Sequence, residues 1–556
     1  MEKKFRKKYI LDKILFVETP SRYHYPYQNW FIPLSKICKK IICFDYRREN
    51  LLYGKNEMNK RLLDIVEKEK PDIALFWLIY DEYNLETFLK IKEISPLTKT
   101  IVFFGDDDTQ FDNFSRYYAL FFDYCLIAQP KYVSLYRQEG IKNVFPTIGV
   151  NIKNFKPLGL KKLYDITFIG HPRPPFSGRY ETIKYLTKNK VNIRLFGLGW
   201  DNYPEFEEIY KGPLDNKEIV KVINQTKINL CFSKNHYDKP QIKGRLFEIP
   251  ACKSFQLVEY AREYLEYFKE GKEVVMFKNK KDLLKKIKYY LEHEEERENI
   301  AEAAYKKVIK NHDIEKELQE ILKKINKDNK DRKRTCFSLP RINKKIIILS
   351  EKDLELGFKK IKEKLKNSDY VCFDIGKSKI LPFREYLQAY SLEKSKKQIS
   401  CCDYYVYSPK LGNYLAFHSY LSFKIIKRKD FEKLLDINQL MVKKSYFLKY
   451  FTRFKKAFKE NKINFLNRKT TIFVSIPLVE IEDIKIYDYA IIKKAFDLKF
   501  LYNLYSLLHK NKRKGFCYLS SLMLEILKGK RFIFTALLET ITSKDKWRKL
   551  KSLEGK

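Results

Sequence analysis

Along the first 150 residues, short unbroken apolar runs alternate with longer amphipathic stretches. Lys13-Ile-Leu-Phe-Val17, Lys40-Ile-Ile-Cys-Phe44, Asp72-Ile-Ala-Leu-Phe-Trp77, Lys99-Thr-Ile-Val-Phe-Phe104 and Tyr124-Cys-Leu-Ile-Ala128 have the length and composition of strands. Asn56 to Lys70 carries apolar residues at helical spacing. Strands that face solvent on one side alternate apolar with polar, whereas these runs are continuous. They predict a parallel sheet covered by helices on both faces.

The pattern restarts after Pro157. Asp165-Ile-Thr-Phe-Ile-Gly170 reads as a strand ending in a glycine turn, followed by the loop His171 to Gly178 and a helix from Arg179. Val191 to Gly197, Lys227 to Phe232 and Phe255 to Val258 are further strands, and Lys281–His293 and Glu294–Lys310 are helices. Two such units in tandem create a crevice at the carboxyl ends of their strands, where ligands of these folds bind. The polar run Asp328 to Thr335 marks a boundary. Beyond it, Lys345–Leu349 and Tyr370–Asp374 look like strands, and a long helical and mixed region reaches Trp547. The expected organisation is α/β: domains at 1–155 and 156–327, then an α/β or α-rich accessory domain at 336–556.

Composition narrows this picture. The 40 Tyr and 41 Phe among 556 residues supply ample core and exclude general disorder, and 18 glycines exclude a collagen-like chain. The net charge of +42 points first to nucleic acid. It is unevenly spread, however, with +26 over residues 341–556 and +16 over the first 340. The ten cysteines show no CxxC pair or zinc spacing and sit mostly in apolar runs, which suits a reducing cytoplasm. The basic N-terminus lacks the uncharged stretch of a signal peptide, and no segment approaches the ~20 apolar residues of a spanning helix.

Lys243-Gly-Arg245-Leu-Phe-Glu248-Ile249-Pro-Ala-Cys252 is the segment richest in candidate chemistry. Two cations precede a carboxylate at the start of an otherwise apolar helix. Cations can neutralise a diphosphate, and a carboxylate can accept from sugar hydroxyls. A plain surface ion pair between Arg245 and Glu248 fits the same spacing. The local pattern leaves both readings open.

From Asp165 to His312 the chain closely resembles the glycosyltransferase domain of the CgeB-type (spore maturation) family, a branch of the GT-B glycosyltransferases. The matching pieces are Tyr164-Asp-Ile-Thr-Phe-Ile-Gly170, Lys243 to Cys252, Tyr267-Phe-Lys-Glu-Gly-Lys-Glu-Val-Val275, Ile287-Lys-Tyr-Tyr-Leu291, Glu296 to Ala301 and Lys307 to His312. The first 150 residues, with Thr147-Ile-Gly-Val-Asn151 leading to Phe155-Lys-Pro157, resemble that family's acceptor-side domain more loosely. The resemblance implies two Rossmann-like domains facing a cleft, with a nucleotide-sugar donor held by the second. By that analogy Glu248 contacts the donor's nucleoside or sugar hydroxyls, and Lys243 and Arg245 face the diphosphate. His171 stands at the strand end as a further catalytic candidate. Gly170, Arg173, Arg179, Gly197, Trp200 and Ile249 line the donor side. The implied reaction needs neither a cofactor nor a metal, and retains the sugar's configuration. Two departures stand out: Pro240 occupies the place of a first glutamate, and Lys253 that of a customary glycine.

On the acceptor side, Ser21, Arg22 and His24 lie in the first loop after a strand. Asp106, Asp107 and Asp108 follow another strand, where they could hold an acceptor sugar, hold a metal or cap a helix. In the last third, Ser368 to Pro382 and Cys401-Cys-Asp403-Tyr resemble the middle of a GT-A glycosyltransferase. Ile375, Gly376 and Lys377 stand where that family keeps a metal-binding carboxylate, which implies a truncated, non-catalytic domain. Its basic runs fit an anionic membrane surface or a polyanionic glycan better than nucleic acid, there being no recognition helix or zinc finger. A merely solvated face fits them as well. The expected partners are a nucleotide-sugar donor, a glycan, lipid-linked or protein acceptor, and the inner face of the membrane as a peripheral contact. A catalytically inactive, transferase-like binding protein is the competing reading.

Overall fold

The computed structural model describes residues 9–18, 26–79, 82–172, 178–235, 238–330, 339, 341–375, 378–407, 414–417, 437–460, 463, 466 and 470–482. A first sheet is built from β1 (Leu11–Val17), β2 (Cys38–Cys43), β3 (Ile73–Trp77), β4 (Lys99–Phe104), β5 (Tyr124–Ile127) and β6 (Val144–Pro146). Its order is β2-β1-β3-β4-β5-β6, parallel throughout. Ile14 pairs with Ile41 on one side and Ile73 on the other. Leu15, Ala74, Phe76 and Val102 pack on one face, and Ile14, Phe16, Leu75 and Ile101 on the other. Both faces are dry, which is why the strands read as unbroken apolar runs.

Helix α1 (Tyr46–Glu69) starts ten residues before the apolar periodicity predicts. Asp45 caps it by accepting from the Arg48 amide at 3.2 Å. Gly54, at φ +80°, then breaks the helical path, so the pattern becomes regular only after the kink.

The second sheet holds β7 (Tyr164–Ile169), β8 (Ile193–Phe196), β9 (Thr226–Cys231), β10 (Gln256–Glu259) and β11 (Val275–Phe277), in the order β11-β10-β9-β7-β8. It too is parallel. Counted within each unit, both sheets place their first strand between their second and third. The direction of winding therefore reverses between β1 and β3 in one sheet and between β7 and β9 in the other. Crevices open at such switch points. Helices α2 (Arg179–Lys188), α3 (Arg245–Ala251) and α4 (Glu294–Asn311) surround the second sheet. The expected GT-B-type α/β architecture, two parallel-sheet units, is what the chain forms up to residue 330.

Helix α5 (Ile314–Lys330) follows the second sheet in the chain but packs on the first, where Leu318, Leu322 and Ile325 join Ile14, Phe16 and Trp30. It grips the link between the two units. Glu317 accepts from the amides of Ile148 (3.3 Å) and Gly149 (2.9 Å). A Cβ on Gly149 would lie 2.7 Å from the Ile314 Cα, so only glycine permits this approach.

The last region resolves between its two expected alternatives. The two expected strands are joined by five more, so that of the α/β and α-rich alternatives the described residues take the first: a seven-stranded mixed sheet of β12 (Ile346–Ser350), β13 (Tyr370–Asp374), β14 (Ser378–Ile380), β15 (Ile399–Tyr407), β16 (Tyr414–Phe417), β17 (Leu440–Lys443) and β18 (Thr471–Glu482). Ordering of β17 and β18 beside β15 depends on residues far apart in the chain, which local periodicity does not register. Helix α6 (Arg384–Glu393) docks this sheet onto the first unit. Its Tyr390 hydroxyl meets Glu139, which also pairs with Arg116, all three being buried. Phe121 and Phe383 meet edge to face at 5.2 Å beside them. No described helix is long and apolar enough to cross a membrane. Lys377 and the basic runs at 424–429 and 510–514 lie outside the described residues.

Candidate functional site

The carboxyl ends of β7 and β9 meet at the second sheet's switch point. Gly170 ends β7, and its amide donates to the Phe196 carbonyl at 2.9 Å. Gly197 sits at φ +115°, and a Cβ there would lie 2.7 Å from the Gly170 oxygen. The Trp200 indole donates to that same oxygen at 2.7 Å and is completely buried. Gly170, Gly197 and Trp200 thus build the floor of the crevice. Trp200 shapes it from beneath, with no surface to offer a ligand. The partly buried His171 follows Gly170 at the rim.

Two cations converge above this floor. Arg179, the first residue of α2, donates to the His171 carbonyl at 3.1 Å and to the Lys234 carbonyl at 2.9 Å. Lys243 donates from Nζ to the same Lys234 carbonyl at 2.5 Å and to that of Phe232 at 2.8 Å. Like charges meeting on one carbonyl oxygen repel, and an anion placed beside them lessens that repulsion. The Cys231 thiol registers the same field: burial pushes it up, while Lys243, Arg179 and Arg245 act to hold it down.

Arg245 and Glu248 do form an ion pair, but not at the surface. Glu248, in the middle of α3, is only 2% exposed. A carboxylate buried so deeply needs a permanent partner, and Arg245, itself partly open to the crevice, supplies it. The Ile249 side chain lies with Leu246 and Phe247 in the apolar core. Lys253 adopts φ +53°, the left-handed conformation that a glycine there would take without strain, and pairs with Glu302 at 2.6 Å.

The first unit contributes an acidic bank opposite. Gln241 donates to Asp106 at 2.6 Å and to Asp108 at 3.2 Å, and Asn235 donates to Asp108. Gln129, just past β5, exchanges two bonds with the Ile242 backbone at 2.9 and 3.0 Å. Asp107 turns away from the cleft into the core, where it accepts from Ser115 (2.5 Å) and Tyr136 (2.8 Å). It braces the turn, and burial pushes its carboxyl up to about 7. Burial and the neighbouring Asp106 push Asp108 up to about 6. Ser21, Arg22 and Arg173 lie outside the described residues. Lys234, Asn235, Gln241 and Gln129 carry no motif, and only the meeting of the two units reveals them.

A glycosyl transferase-like family model matches residues 179–323. The matched segment opens on Arg179 and contains Lys234, Lys243, Arg245 and Glu248, so the similarity spans the cation cluster. The spore protein CgeB of Bacillus subtilis (strain 168) is 23% identical over 266 residues, spanning 44% of this chain and 80% of that protein. Among solved structures, Anabaena HepE in complex with UDP and glucose aligns with 13% identity over 56% of this chain and all of that one, at a TM-score of 0.41. A glycosyltransferase from Rickettsia africae aligns with 15% identity over 58% of this chain and all of its own, at a TM-score of 0.43.

Proposed function

We propose that the chain is a glycosyltransferase that moves a sugar from a nucleoside diphosphate to a glycan, lipid-linked or protein acceptor hydroxyl. The observation that carries this reading is the meeting of Arg179 and Lys243 on one carbonyl at the switch point of a glycosyltransferase-like domain. A diphosphate seated there relieves the repulsion and takes charge-assisted hydrogen bonds from both. In transfer, the bond from the anomeric carbon to the diphosphate oxygen breaks with its electrons passing to phosphate. The acceptor hydroxyl bonds to that carbon and passes its proton to the departing diphosphate. Arg179 and Lys243 stabilise the charge that grows on the leaving oxygen, with no metal required. Arg245 pairs with Glu248 and orients its carboxylate to accept from hydroxyls of the sugar or ribose. The acceptor enters over Asp106 on the opposite bank. By analogy with glutamate-motif transferases the configuration is retained.

A thermal-shift screen with UDP, GDP, ADP, CMP and dTDP sugars tests the reading. Stabilisation by at least one donor is expected, with turnover abolished in Glu248→Ala while the fold persists. A wild-type chain indifferent to every donor, or an undiminished Glu248→Ala, overturns it.

A further inference from the structure

The cradle that would hold the diphosphate is itself held from below, by a residue outside every motif discussed so far. Glu259 ends β10, next to β9 in the sheet. Its Oε2 accepts from the Ser233 amide at 3.0 Å, the Ser233 hydroxyl at 3.2 Å and the Lys234 amide at 3.2 Å. Its Oε1 stands 3.9 Å from the Lys234 ammonium. The Ser233–Lys234 peptides are thereby clamped from both sides. Their amides point to the Glu259 carboxylate, and the Lys234 carbonyl points to Arg179 and Lys243.

We infer that Glu259 is a positioning residue for the donor: it fixes the backbone from Phe232 to Lys234, whose carbonyls set where the two cations meet. The clamp is electrostatically matched. A carboxylate draws the Ser233 amide inward, which orients the carbonyl of the same peptide, that of Phe232, outward to Lys243; the Lys234 carbonyl follows two peptides on in the backbone so held. Glu259 is mostly shielded from solvent, its side chain 15% exposed, so these bonds are little screened. The inference rests on the donor reading above, because the cradle has a purpose only if a diphosphate occupies it.

Titration calorimetry of UDP, GDP and ADP against the full chain separates the two. Failure of the wild-type chain to bind any of the three overturns the donor reading itself. Given wild-type binding, Glu259→Ala is expected to weaken it at least 10-fold, and Glu259→Gln, which keeps a carbonyl oxygen for the amides, by less than about 3-fold. In turnover, the alanine variant should raise the donor KM and leave kcat within about 3-fold. Binding by Glu259→Ala equal to wild type overturns the positioning role. So does a glutamine variant as poor as the alanine one, since charge alone would then be acting. Should Glu259→Ala fail to fold, the glutamine comparison together with Ser233→Ala, expected to bind within 3-fold of wild type, decides the matter.

Discussion

The two parallel sheets wind in the same order, yet the residues they set facing one another carry opposite charge. At the end of β9 stand Lys234, Arg179 and Lys243; past β4, one strand beyond the first sheet's switch point, stand Asp106 and Asp108. Topology decides that both strand ends are available to ligands, and side chains decide which ligands. A cationic bank suits a diphosphate, and an acidic one suits hydroxyls that must lose a proton. Gln241 and Asn235 tie the banks together, so each is placed by the other.

The contrast breaks most sharply if the cations are removed. Replacing both Arg179 and Lys243 by Ala should cost two charge-assisted contacts of about 1.5–3 kcal/mol each. Calorimetry should then show nucleoside diphosphate binding weakened by 100-fold or more.

The acidic bank should reveal itself through pH. Asp107 binds its proton more tightly when folded, at about 7 against 3.8 unfolded, because burial disfavours its charge. Its contribution is complete below pH 4 and is lost as pH rises through 7, on the order of 4 kcal/mol. Urea titrations from pH 4 to 8 should show that decline, and Asp107→Asn should flatten it.

The tie between the banks is weaker. Gln241→Ala removes two hydrogen bonds worth about 1 kcal/mol each. Acceptor KM should rise about 10-fold while donor binding stays within about 3-fold, as kinetics with each substrate varied in turn would show.

The smallest effect lies outside both banks. Tyr390→Phe takes one hydrogen bond from Glu139, which keeps Arg116. A loss of about 1 kcal/mol or less in urea unfolding, with donor binding unaltered, would place the mixed sheet apart from donor chemistry.

Much of the parallel-sheet fold was legible because a strand buried on both faces must be apolar at every position, as in Ile14-Leu15-Phe16-Val17. The three-residue strands β6 and β11 were not, being too short to show a period. Within the site, the Lys243, Arg245 and Glu248 set stood out by its charges in an apolar setting. The surface reading of the Arg245–Glu248 pair missed the burial of Glu248, which comes from packing around α3 and is not written in the spacing. Trp200 and Asp107 sit near the crevice in sequence, yet the structure turns both into the core.

What the chain's order of residues settled alone was the repeating strand-and-helix pattern, the glycines at strand ends and the presence of cations near Glu248. These are local properties, fixed by side chains within a few positions of one another. Tertiary structure decided that Arg179 and Lys243 share the Lys234 carbonyl, that Glu259 holds the peptide beneath them, and that Gln241 reaches Asp106. Each of those contacts joins segments brought close only when the sheets close and dock, and a hydrogen bond of 3 Å cannot be read from positions whose separation in space the sequence leaves open.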